Sequence, residues 1–119
     1  GMFMLMLKDE LSESEFYKAF ATQVSAARET GDQADESTTV TVSNIGKAGM
    51  KIGIPAIVAP AVATLAIGES FAHPVPDGDS FRFQTMVTAT LSFDHRIANG
   101  VGAANFMSEV KSHIESFEA

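Results

Sequence analysis

The chain has 119 residues, 45% of them hydrophobic and 19% charged, with a net charge of −7 and no cysteine. Disulfides, zinc–thiolate sites and cysteine nucleophiles are excluded, and the acidic balance argues against a nucleic-acid surface, which needs clustered lysine and arginine. The composition is that of a folded domain, and the length predicts one domain over residues 1–119 that buries about two thirds of its unfolded surface.

Residues 3–7 read as a short buried strand, with Met2, Met4 and Met6 at alternate, core-facing positions. That apolar stretch lacks a basic flank and a cleavage site and is too short to span a bilayer, so a cytoplasmic protein is expected. Ser12 and Glu15 have the spacing of a capping box. Phe16, Phe20, Val24 and Ala27 follow at helical spacing, which predicts an amphipathic helix over about 13–29, stopped by Gly31. Residues 31–37 read as a polar loop.

Thr38 to Ser43 alternates, with Val40 and Val42 on the side expected to be buried. The stretch 44–55, with glycines at 46, 49 and 53, predicts an irregular loop, and 62–71 an apolar strand. His73 to Asp79 reads as a turn, because two prolines and Asp77-Gly78 punctuate it. Residues 82–93 form the clearest strand, with Val87, Ala89, Leu91 and Phe93 on one face. A last helix over about 100–117 places Ala103, Phe106, Met107, Val110, Ile114 and Phe117 on one stripe. The order β-α-β-β-β-α predicts an α+β fold: a mostly antiparallel sheet with two helices on one face.

The chemistry-bearing residues gather where the best strand gives way to the last helix: Asp94, His95, Arg96, then Asn99 and Gly100. The strand fixes the backbone there, and the helix start supplies unpaired N–H groups and the positive end of a dipole. Parity puts His95 on the side of Leu91 and Phe93. Partial desolvation there would favour a neutral, basic imidazole able to take a proton from a thiol or alcohol. The plainer alternative is a satisfied turn residue beside a local Asp94–Arg96 ion pair. With three histidines and no cysteine, no metal site is expected. His73 reads as a surface residue, and His113 as the helix-surface partner of Glu109.

Ser92-Phe93-Asp94-His95-Arg96, followed by Asn99-Gly100, resembles the signature of the dihydrolipoyl acyltransferases of 2-oxoacid dehydrogenase complexes, which share a fold with chloramphenicol acetyltransferase. Thr39 to Gly46 is similar to that family's TFTISNLG strand, and Pro55 to Gly68 to its TPIINPPQAAILGVG segment. The resemblance covers the second half of the catalytic domain, with 52 residues from Ser43 to His95. It implies half of a chloramphenicol acetyltransferase-like domain that moves an acyl group between coenzyme A and a thiol such as dihydrolipoamide. It further implies His95 as general base, Ser43 as the hydroxyl donor to the oxyanion, and Asn99 as a supporting hydrogen-bonding residue, with Asp94, Arg96 and Gly100 structural at the site. A trimer or higher homo-oligomer is implied, with Ser43 of one chain facing His95 of the next and any lipoyl group on a partner protein. A hydroxyl acceptor, as in chloramphenicol acetyltransferase itself, fits the Asp-His-Arg context with Asn99 less well.

The sequence departs from the family in two respects. It holds no counterpart of the catalytic domain's first half or of the lipoyl and subunit-binding domains, so a partner chain supplying the missing half, or a non-catalytic oligomerising or ligand-binding role, is an alternative. Lys47 and Lys51 stand in the glycine-rich loop in place of the family's usual residues; they are candidates for a coenzyme A phosphate, with solvated loop charges as the plainer reading.

Overall fold

A computed structural model describes residues 11–31 and 36–117 of the chain. The expected strand at 3–7, its methionines and part of the 31–37 loop lie outside the described residues. The chain divides into two compact units, Gly1–Thr38 and Thr39–Ala119.

The first unit holds α1, Glu13–Thr30. Its start is the capping box that the sequence carries: the Ser12 hydroxyl accepts from the Glu15 N–H, while the Glu15 carboxylate accepts from the Ser12 N–H at 2.9 Å. The Ser12 hydroxyl, which also donates to the Glu15 carboxylate at 2.7 Å, and to a lesser extent the Ser12 N–H hold the Glu15 carboxyl below its ordinary range. The helix stops at Gly31, whose φ of 86° suits glycine, and its N–H caps the Ala27 carbonyl at 3.0 Å. Of the apolar stripe, Ala27 is buried and Val24 half-buried, while Phe16 and Phe20 are exposed and stack on each other at 6.1 Å.

The second unit contains β1 Val40–Asn44, β2 Ala63–Ile67, β3 Phe71–Asp77, β4 Ser80–Met86, β5 Ala89–Phe93 and α2 Gly100–Glu115. One sheet has the order β1-β2-β5, with β1 parallel and β5 antiparallel to β2; β3 and β4 form a second, antiparallel pair. Two of the three pairings are antiparallel, in an α+β arrangement. α2 meets the sheet at β5. Its stripe is only partly covered: Ala103, Met107 and Val110 are half-buried, but Phe106, Ile114 and Phe117 are exposed.

Three boundaries differ from the sequence reading. The expected strand 62–71 is two strands, interrupted at residues 68–70, and the expected strand 82–93 is likewise broken at Val87 and Thr88. Three residues therefore face two, a one-residue bulge that divides one long hairpin into two sheets. Residues 73–79 are not a turn. They belong mostly to β3, and the turn is confined to Gly78 and Asp79. Gly78 has φ 62° and Asp79 no positive φ, the signature of a type II′ turn with glycine first. In that register Pro74 and Pro76 fall on pairs whose N–H groups point away from β4, so the missing donors cost no ladder bond.

The largest departure is in burial. Among the described residues the buried apolar side chains are only Ala27, Ala61, Leu65 and Ala66. Val40 and Val42, expected to be buried, are 42% and 61% exposed, while Thr41 and Ser43 are half-buried.

Candidate active site

β5 ends at Phe93, and the chain turns at once. The Asp94 N–H donates to the Val62 carbonyl at 2.8 Å, which ties the turn to β2, and the Asp94 carbonyl accepts from the Ile97 and Ala98 N–H groups. The Asp94 carboxylate spans His95 to reach Arg96. Oδ1 accepts from the Arg96 N–H and Nε–H, both at 3.0 Å, and Oδ2 accepts from Nη2 at 2.7 Å. Mainly through that side-chain bonding, the guanidinium holds the Asp94 carboxyl down at about 2, and Asp94 in turn raises the Arg96 pKa. The pair acts as a clasp that fixes the turn presenting His95.

His95 is exposed in the single chain, so the desolvation expected from strand parity is not supplied by this chain. The strand has ended before it, and Phe93 lies against the imidazole, with ring centroids 5.6 Å apart. Phe93 is the site residue that the sequence reading left unassigned. Its signal was its position two residues before His95 on an alternating strand.

Asn99 is the N-cap of α2, and its Oδ1 accepts from the Gly102 N–H at 2.8 Å. That fixes the side chain and leaves the Nδ2 hydrogens to serve another acceptor. Gly100 is the first residue of the helix, with open space where a Cβ would stand.

Ser43 lies on β1, in register with Ala66 on β2 and Thr90 on β5. Paired residues share a sheet face, so Ser43 looks to the side of Thr41, Thr64 and Ser92. Phe93, with His95 against it, belongs to the other face. His95 also lies five residues beyond the level of Ser43 and two strands away, which puts them roughly 15–20 Å apart at ordinary strand spacing and rise. The structure therefore groups Asp94, His95, Arg96, Asn99 and Gly100, and separates Ser43 from them within one chain.

The glycine-rich loop leaves β1 through a short 3₁₀ turn, Gly46–Ala48. It is pinned by the Glu69 N–H donating to the Met50 carbonyl at 2.8 Å. Lys47 is exposed. Lys51 places Nζ 3.9 Å from the centre of the Phe71 ring, a cation–π contact within its own chain. His113 pairs with Glu109 on the surface of α2 at 3.8 Å, as its spacing suggests. Among the described residues no group of acidic, histidine or cysteine side chains could hold a metal ion, and no helix is long and apolar enough to cross a membrane.

Residues 7–119 match the family model for the 2-oxoacid dehydrogenases acyltransferase (catalytic domain). The chain is similar to the dihydrolipoyllysine-residue acetyltransferase component of the acetoin cleaving system of Bacillus subtilis, 29% identical over 90% of this chain and 27% of that protein. Among solved structures it is similar to Azotobacter vinelandii dihydrolipoamide acetyltransferase, with TM-score 0.77 and 29% identity, covering 91% of this chain and 45% of that one. It is also similar to the cubic core of a pyruvate dehydrogenase multienzyme complex, with TM-score 0.77, 30% identity and the same coverage. The chain thus spans about a quarter of that curated relative and just under half of those solved chains. In the Azotobacter enzyme a serine, a histidine and an asparagine were investigated for their role in the catalytic mechanism; they are separated by 52 and then 4 residues. Ser43, His95 and Asn99 have the same separations.

Proposed function

Since this chain belongs to the family of 2-oxoacid dehydrogenase acyltransferase catalytic domains, we propose that it is half of such a domain and moves an acyl group between coenzyme A and a thiol such as dihydrolipoamide. His95 is the general base. Its imidazole takes the proton of the attacking thiol, and the sulfur adds to the thioester carbonyl. The Ser43 hydroxyl donates to the resulting oxyanion. The adduct then collapses, the carbon–sulfur bond to the original thiol breaks, and the imidazolium returns the proton to the departing sulfur. The Asp94–Arg96 clasp and the Asn99 cap hold the histidine's turn and the start of α2 in place, which positions the base without a motion during reaction.

The carrying observation is the shared spacing of serine, histidine and asparagine with the Azotobacter enzyme, on a matching fold. The separation of Ser43 from His95 within one chain supports a site assembled between chains, as in a trimer or higher homo-oligomer or with a chain supplying the other half. An adjoining surface would also supply the desolvation that the exposed His95 lacks. Lys47, by this reading, is the freer candidate for a coenzyme A phosphate, because Lys51 is engaged with Phe71.

The test is acetyl transfer from acetyl-coenzyme A to dihydrolipoamide. Wild type is expected to turn over and His95→Ala to lose at least about a hundredfold. An assembled wild type with no more activity than the variant would overturn the reading. The second reading, a non-catalytic oligomerising module, is favoured by the uncovered surface. It predicts assembly and no transfer.

A further inference from the structure

His95 is held by its main chain and not by its ring nitrogens. The Asp94 N–H is tied to the Val62 carbonyl, and the Asp94 carbonyl accepts from Ile97 and Ala98, so the backbone on both sides of the histidine is fixed. The imidazole differs. Among the described residues neither ring nitrogen has a hydrogen-bond partner, and the side chain is exposed. In a serine–histidine–aspartate site a carboxylate sets the orientation of the imidazole. Here the adjacent carboxylate, Asp94, is committed to Arg96 through three hydrogen bonds.

What meets the imidazole is a ring. Phe93 closes β5 opposite Ala63 of β2, whose side chain is a single methyl group. The Phe93 backbone is bracketed by the paired strand before it and the Asp94–Val62 bond after it, and its side chain is half-buried. The Phe93 and His95 ring centroids lie 5.6 Å apart, with the planes inclined by 34°. Aromatic rings attract each other at that separation.

Such a contact suits a base. An exposed side chain with two torsions otherwise samples several staggered positions, and a flat surface along one face of the imidazole limits them. Contact through the ring face leaves both nitrogens free, one of them to receive the proton of the thiol. The contact also persists once that proton arrives, because the neutral ring packs on Phe93 and the imidazolium is a cation beside an aromatic face. A hydrogen bond accepted by the proton-receiving nitrogen would be lost at that moment. Rate falls steeply when a base is displaced from the geometry of attack.

We propose that Phe93 is a positioning residue for the transfer reaction: its ring backs the His95 imidazole and sets the plane in which the base meets the thiol. The assignment rests on His95 serving as the general base.

Wild type, Phe93→Leu, Phe93→Tyr and His95→Ala are compared in acetyl transfer from acetyl-coenzyme A to dihydrolipoamide, and the imidazole protons of His95 are followed by NMR. Leucine keeps an apolar side chain at the end of the sheet and removes the flat ring; tyrosine keeps the ring. Wild type is expected to show nuclear Overhauser contacts between the Phe93 ring and the His95 imidazole, a readout that needs no turnover. Phe93→Leu should lower kcat about three- to tenfold with both KM values unchanged, the loss of one aromatic contact expressed as a rate. Phe93→Tyr should recover that loss. Wild-type kcat in Phe93→Leu, a change in KM instead of kcat, a tyrosine variant as slow as the leucine one, or an imidazole without contacts to Phe93 would each overturn the proposal. His95→Ala as active as wild type would overturn the general-base reading itself, whatever the Overhauser contacts show.

Discussion

Gly68→Ala is expected to be among the most damaging single-methyl changes in this molecule. Gly68 lies in the bulge between β2 and β3, with its N–H donating to the Thr88 carbonyl at 3.0 Å. A Cβ there would overlap the Lys51 carbonyl oxygen and come within 2.7 Å of its carbon and 3.2 Å of the Met50 oxygen. All three are backbone atoms, which cannot rotate aside as a side chain would. Residues 50–51 must retreat, and the Met50–Glu69 hydrogen bond is lost. That bond is worth about 1 kcal/mol, and overpacking costs about 1–3 kcal/mol, so the expected loss is about 2–4 kcal/mol. Urea unfolding gives the value directly. Gly100→Ala is the control, since nothing lies within 4 Å of its Cβ position; it should be neutral or stabilising by about 0.5 kcal/mol. If Gly68→Ala unfolds within about 0.5 kcal/mol of wild type, the close approach of loop and bulge is wrong.

Further outcomes follow from the clasp and the cap. The Asp94 carboxyl is held at about 2, below its ordinary 3.8. A depressed carboxyl stabilises the fold above its unfolded pKa, and that support is lost as pH falls from about 3.8 through 2. Carbon-detected NMR should show the Asp94 carboxyl titrating near 2, with the Arg96 amide following it; an ordinary midpoint would show that the clasp does not form. Asn99→Ala should destabilise the protein by about 1 kcal/mol through loss of the helix cap, read by thermal unfolding. Asn99→Asp keeps a capping oxygen but removes the amide donors. It is expected to keep stability and lose transfer activity, and full activity in Asn99→Asp would limit Asn99 to capping.

Local signals were the legible ones. Ser12, Glu15 and Gly31 announced α1 because caps are satisfied within a few residues, and the same locality made the Asp94–His95–Arg96 turn and the start of α2 readable. The break at Val87 and Thr88 was hidden, because side-chain alternation keeps its phase through it and only the count on the opposite strand reveals the bulge. Prolines 74 and 76 suggested a turn because their missing donors count as breakers; the register that makes them harmless depends on β4. The exposure of Val40 and Val42 was also out of reach, since their pattern states that they are to be covered but not by which surface. For the site, Ser43 and His95 could be paired only through family resemblance, because spacing along one chain does not show that the two side chains diverge within it.

The most direct measurement of the central claim, a site completed between chains, is complementation between two inactive variants. Ser43→Ala and His95→Ala should each be nearly inactive in acetyl transfer. Unfolded together in equal amounts and refolded as mixed assemblies, they should recover about a quarter of wild-type activity, the share of interfaces that unite an intact serine with an intact histidine. Mixed assemblies no more active than either parent would contradict it.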